Sequence, residues 1–121
     1  MKISVERDIL LKSLNHIQSV VERRNTIPIL SNVKIIANNA GISLTATDLD
    51  LEIIESLDKA NTIEDGEITT SAHTLYDIVR KLPEGSSLDI ANKDNDKLEL
   101  SCGQSNFELS TLPVEDFPEM S

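Results

Sequence analysis

Apolar residues recur along this chain at two periods, and the switch from one to the other marks out its elements. Over Lys2–Glu6, Ile3 and Val5 alternate with polar neighbours, which predicts a short strand. From Val5 to Arg24 the period lengthens. On a projection at about 100° per residue, Leu10, Leu14, Ile17 and Val21 fall within about 60° of one another, with Ile9, Leu11 and Val20 widening the stripe. This predicts a helix with one face buried. Its other face carries Asp8, Lys12, Asn15, His16, Ser19 and Arg23, small polar groups suited to contact with a hydrated polyanion. Pro28 precludes a continuing helix, and Val33–Ala37 reads as a strand. Asn38–Gly41 predicts a hairpin turn. Ile42, Leu44 and Ala46 alternate with Ser43, Thr45 and Thr47, and then Leu49, Leu51 and Ile53 alternate with Asp48, Asp50 and Glu52. Two strands meeting near Thr47–Asp50 follow, and Asp58–Gly66 reads as a loop.

The same order then begins again. Glu67–Ser71 predicts a strand, and Ser71 is placed to cap a second helix over Ala72–Leu82, whose Leu75, Ile78, Val79 and Leu82 sit at helical spacing. Pro83–Ser86 ends it. Strands follow at Ser87–Asn92, Lys97–Cys102 and Asn106–Ser110, with turns at Asp94–Asp96 and Gly103–Ser105. A β-α-β-β-β unit thus occurs twice, which predicts an α+β domain with two helices side by side over two antiparallel sheets. The halves share almost no residue identity, so element order and spacing alone carry the duplication.

Composition narrows the function classes. With 121 residues and no apolar run long enough to span a bilayer or serve as a signal segment, one globular domain in the cytoplasm is expected. The lone Cys102 excludes an internal disulfide and a Cys-x-x-Cys pair. The net charge of -10 speaks against tight nucleic-acid binding, but it is unevenly spread. Residues 2–24 hold five basic groups against three acids, residues 25–70 two against eight, and residues 71–121 four against ten. Such a polarised field repels DNA from most of the surface and tolerates it along one side.

Candidate chemistry is sparse. Asp48, Asp50 and Glu52 would share one strand face, as a two-metal phosphoryl-transfer site requires, but amphipathic alternation with Leu49, Leu51 and Ile53 accounts for the same pattern. His16 and His73 could stand on neighbouring helices without a carboxylate motif to make them a metal or acid–base pair. The four glycines are isolated turn residues, so no phosphate cradle is present. Tyr76, Phe107 and Phe117 are too few for base stacking. No catalytic residue, metal or cofactor is therefore implied. Phe107 and Leu109 face one way on the last strand, either as core or as part of an edge left open to pair with another chain. The proline-flanked acidic tail, 111–121, reads as the start of a linker.

Five stretches, in order and spacing, resemble the first domain of the bacterial DNA polymerase III beta subunit family, the sliding clamps. They are MKISVERDILLKSL from Met1, RNTIPILSNV at Arg24–Val33, LTATDLDLE at Leu44–Glu52, LPEG at Leu82–Gly85, and FELSTLPVEDFPEM at Phe107–Met120. The resemblance implies the clamp fold, in which paired helices line a central hole and sheets lie outside. Residues 1–121 would be the first of three such domains, with two subunits closing a head-to-tail ring around duplex DNA. It further implies that Lys12, Asn15, His16, Ser19 and Arg24 look toward the DNA backbone. His73 and Thr74 stand where related clamps often have a basic pair, which leaves His73 a weaker DNA contact. Phe107, Leu109, Ile78 and Thr74 resemble the surface that joins the third domain of the other subunit. Such a protein tethers the polymerase without doing chemistry, and polymerase and clamp loader would dock on domains absent here. Two other readings stand beside this one: a stand-alone protein interaction module with no DNA role, and a metal-dependent phosphoryl-transfer enzyme built on Asp48, Asp50 and Glu52.

Overall fold

The computed structural model describes residues 1–23, 25–93 and 96–119. Arg24 and most of the turn expected at Asp94–Asp96 lie outside the described residues. The elements run β1 (Lys2–Glu6), α1 (Arg7–Gln18), β2 (Asn32–Asn38), β3 (Gly41–Thr47), β4 (Glu52–Leu57), β5 (Asn61–Glu64), β6 (Gly66–Ser71), α2 (Ala72–Arg80), β7 (Ser87–Lys93), β8 (Lys97–Cys102) and β9 (Ser105–Leu112). Short 3₁₀ turns occupy Pro28–Ser31 and Val114–Asp116. The repeated β-α-β-β-β order is present, with β5 inserted between the two units.

Every strand pairing is antiparallel, and the strands line up as β4-β3-β2-β6-β9-β8-β7-β1-β5. Each unit lends its first strand to the other: β6 pairs with β2, and β1 pairs with β7. The two expected sheets are therefore exchanged halves, β4-β3-β2-β6 and β9-β8-β7-β1, related by an approximate two-fold. They fuse through a short seam where Thr69 faces Leu112 and Thr70 faces Thr111. Side chains reinforce this seam. The Thr70 hydroxyl donates to the Ser110 carbonyl (2.9 Å), and the Thr69 hydroxyl donates to the Leu112 carbonyl (2.8 Å) while accepting from Asn32 Nδ2 (3.1 Å). These threonines and Asn32 are buried, so each bond also satisfies a group that would otherwise be desolvated without a partner.

One core joins both halves. Leu10, Leu14 and Ile17 of α1 and Leu75 and Val79 of α2 meet Ile3, Val33, Ile35, Leu44, Leu88, Ile90, Leu98 and Leu100 from the strands, all fully buried. Truncating any one of the leucines or isoleucines to Ala costs about 2–5 kcal/mol, because the cavity adds to the lost transfer energy.

Several local expectations change in the fold. The first helix ends at Gln18 rather than Arg24. Its last turn is closed by the Ser19 hydroxyl on the His16 carbonyl (2.6 Å) and by Val20 N–H on the Ile17 carbonyl (3.1 Å), after which the chain bends and still buries Val21. A hydroxyl that competes for main-chain carbonyls, followed by two β-branched residues, favours that stop. Residues 58–66 are not all loop: Asn61–Glu64 pairs with β1 as an edge strand. The second helix stops at Arg80. Gly85, at φ +76°, then makes a left-handed turn that other residues adopt at a cost.

The largest departure is at Asp48–Leu51, which is a tight turn rather than strand. Asp48 Oδ1 accepts from the backbone N–H of Asp50 (3.0 Å) and Leu51 (2.7 Å), and Leu49 takes a positive φ of 82°. Leu49 and Leu51 are 49% and 51% exposed, so they do not supply the buried face that alternation assigned to them. Asp48 is spent on holding its own turn, and only Glu52 of the three carboxylate residues lies on a strand. The shared strand face that a two-metal site needs is not formed.

Candidate nucleic-acid interface

The sequence places a polar face on α1, and the fold sets a second helix beside it. α1 and α2 lie antiparallel, each end clasped to the other's opposite end. At one end Arg7, whose side chain is 11% exposed, donates from Nε to the Val79 carbonyl (3.2 Å) and from a terminal nitrogen to the Arg80 carbonyl (2.9 Å). These are carbonyls of the last turn of α2, that of Val79 also accepting the Leu82 N–H (3.1 Å), and a cation there meets the negative end of the helix dipole. At the other end His73 Nε2 donates to the Val21 carbonyl (2.6 Å). A carbonyl can only accept, so Nε2 carries the hydrogen, and Nδ1 is left buried without a hydrogen-bond partner among the described residues. Ser71 caps α2 by accepting the Thr74 N–H at 3.2 Å, as its position in the sequence predicts.

Between the clasps runs a continuous polar strip. The Tyr76 hydroxyl donates to Asn15 Oδ1 (3.4 Å), and Arg80 lies 5.9 Å from the Tyr76 ring centroid. Asp77 is held by both Arg23 and Arg80, each at 3.3 Å. Partial desolvation pushes the Asp77 carboxyl up, but the hydrogen bonds and charges of Arg23 and Arg80 outweigh it and hold the group below the ordinary range. Asp8 is also lowered, first by its hydrogen bond from Arg7 and then by the backbone N–H of Gly85. That second bond brings the Leu82–Gly85 turn against the start of α1. Asp8 and Asp77 are therefore answered by arginine, while Lys12 stays exposed between two shallow depressions, one toward α2 that Glu84 also lines and one toward β4 that Glu55 and Asp58 line.

Of the DNA-facing residues implied by the resemblance, Lys12, Asn15, His16 and Ser19 are exposed on α1 and at its end. They do not all point one way. Asn15 leans to α2, whereas His16 leans to β4 and pairs through Nδ1 with Glu55 at 2.8 Å. His73 is corrected: it is buried and tied to the backbone, so it is a structural clasp rather than a surface contact. Arg24 lies outside the described residues. Sequence reading passed over Arg7, Tyr76, Asp77 and Arg80. The Asp77–Arg80 spacing of three was a readable helix-pair signal. The Arg7 contact joins residues more than 70 positions apart and had no local signature.

The second predicted surface is also revised. Thr74, Ile78 and Phe107 line one depression with Lys81, Leu82 and Pro83, so three of the four interface residues are brought together. Leu109 is 4% exposed and belongs to the core. Beside them β9 pairs with β8 along its length but with β6 only at Thr111 and Leu112, leaving the other edge of Ser105–Leu109 unpaired by any strand among the described residues. No group of carboxylate, histidine and cysteine side chains suited to holding a metal occurs among the described residues, and no helix there is long and apolar enough to cross a membrane.

The same arrangement recurs in related proteins. The family model described as DNA polymerase III beta subunit, N-terminal domain, matches residues 1–121. The beta sliding clamp of Caulobacter vibrioides (strain NA1000 / CB15N) is 52% identical over 122 residues, covering 100% of this chain and 32% of that protein. That of Pseudomonas putida (strain KT2440) is 43% identical over 118 residues, covering 98% and 32%. Among solved structures, the sliding clamp of Caulobacter crescentus superposes with a TM-score of 0.93 at 51% identity, over 100% of this chain and 33% of that one. The Bartonella birtlesii clamp bound to griselimycin gives 0.91 at 47% identity, over 100% and 32%. The chain thus spans about a third of the length of the relatives it matches. A match that runs from the first residue to the last, on a fold with the same paired helices and exchanged sheets, makes this chain a member of the DNA polymerase III beta subunit family, corresponding to its N-terminal domain.

Proposed function

We propose that the chain serves as the first domain of a sliding clamp, a processivity factor for DNA replication in the cytoplasm, and that its helix pair faces the backbone of enclosed duplex DNA. The observation that carries this reading is the charge of that pair. In a chain of net charge -10, the α1–α2 surface gathers Lys12, Arg23 and Arg80, and two of its acids, Asp8 and Asp77, are already paired with arginine. Phosphates can approach this side. The cations are few and partly committed, which suits a contact that must be made and broken as a ring slides. Binding then stays in the non-specific range, at about 10⁻⁴ M or weaker at physiological salt. Bridging water can carry much of it.

The role is tethering rather than chemistry. The depression at Thr74, Ile78 and Phe107, next to the unpaired edge of β9, supports a contact with a second clamp subunit in a head-to-tail homodimer. Polymerase and clamp loader bind through the other domains of the longer protein. An amide and arginine side-chain titration with a short duplex at low salt tests the DNA face. Shifts at Lys12, Ser19 and Arg23 that fade as salt is added are expected, because counterion release drives the contact. Shifts confined to β4 and β5, or a preference for one sequence, would refute it.

A further inference from the structure

Beyond β9 the chain turns back onto the domain instead of leaving it. Asp116 N–H bonds the Pro113 carbonyl (3.1 Å) and Phe117 N–H bonds the Val114 carbonyl (3.0 Å), a 3₁₀ turn bracketed by Pro113 and Pro118. Residues 113–117 of the stretch that composition reads as linker are therefore folded into a turn, and they deliver Phe117 to a cluster separate from the main core. With Ile29 and Leu30, Phe117 forms a separate apolar cluster, and all three are buried. Lys34 of β2 sets its ammonium 5.0 Å from the centroid of the Phe117 ring, covering it from the sheet side.

Ile29 and Leu30 sit at the end of the loop that follows α1. The start of that loop is held to α2 by His73 on the Val21 carbonyl and by Arg23 on Asp77, whereas the described hydrogen bonds from Asn25 to Leu30 are local: Asn25 N–H to Ser31 Oγ (3.2 Å), Ile27 N–H to Asn25 Oδ1 (2.9 Å) and Leu30 N–H to the Ile27 carbonyl (3.0 Å). Local bonds shape a turn without fixing where it sits on the molecule. Burial of Ile29 and Leu30 under a ring from the far end of the chain does fix it.

We propose that Phe117 is a positioning residue whose ring pins Ile29 and Leu30, and so sets where the Asn25–Leu30 turn sits between the helix pair and β2. The path of residues 113–119 and the placement of the Asn25–Leu30 turn are thereby coupled. A longer protein that pulls on residues 113–119 moves the loop as well.

Amide exchange followed by NMR on wild type, Phe117→Ala and Phe117→Leu tests the pin without DNA. In Phe117→Ala the amides of Asn25 and Leu30 should exchange roughly tenfold faster or more, with protection at Leu14 and Val79 unchanged. Phe117→Leu, which keeps a bulky apolar group, should restore most of it. Unchanged exchange at Leu30, or faster exchange spread evenly over both helices, overturns the pin.

Discussion

Replacing Arg7 by Ala should loosen the helix pair at one end, and its cost can be worked from the contacts. Two charge-assisted hydrogen bonds to α2 carbonyls are lost, at 3.2 Å to Val79 and 2.9 Å to Arg80. Hydrogen bonds to a charged group contribute about 1.5–3 kcal/mol when shielded, and the Arg80 bond lies at the exposed rim, so it counts for less. The cation at the C-terminal end of α2 adds about 0.3–1 kcal/mol. Freed carbonyls regain water and the side chain regains rotamers, which returns part of the sum. A net loss of about 2 kcal/mol is expected. With a urea slope of about 1.5 kcal/mol/M, the unfolding midpoint should fall by about 1.3 M at unchanged slope. Arg7→Lys should recover only part, since an ammonium cannot present two fixed donors to two carbonyls. Asp8→Asn should cost less than Arg7→Ala, because it leaves both carbonyl bonds in place. A loss below about 0.5 kcal/mol for Arg7→Ala, or full recovery by lysine, would refute the clasp.

Two further outcomes follow from the same geometry. In sedimentation across a concentration series, Phe107→Ser should suppress the weak self-association expected of the half-buried patch at Thr74, Ile78 and Phe107, whereas Leu109→Ala should instead lower stability by about 2–5 kcal/mol, since Leu109 is core. Acid should weaken the fold through Asp8 and Asp77: both carboxyls lie below their ordinary 3.8, so their contribution is complete above that pH and is lost as pH falls through their lower folded-state values. Carboxyl ¹³C titration checks the direction, and Asp77→Asn should flatten the acid limb of a stability–pH curve.

The amino-acid sequence by itself determined the repeated unit, both helices, and the stripe Leu10, Leu14, Ile17 that α1 buries. Those features arise from periodicity within about 20 residues, which the backbone geometry of a helix or strand translates directly into a face. The Ser71 cap was legible for the same reason, because donor and acceptor lie within one turn. The alternation at Leu49 and Leu51 misled because a turn can carry the same pattern as a strand; one aspartate bonding two amide hydrogens was enough to end the pairing. Tertiary structure alone decided what joins distant positions: Arg7 to α2, His73 to Val21, the exchange of β1 and β6 between halves, and Phe117 on Ile29 and Leu30. His73 shows why. A histidine at a helix start reads as a surface group, and only the approach of the other helix's end supplies the carbonyl that makes burying it favourable. Leu109 and Phe107 share a strand face, yet Leu109 is buried and Phe107 only partly so, a difference set by what packs over the sheet and not by any pattern along the chain.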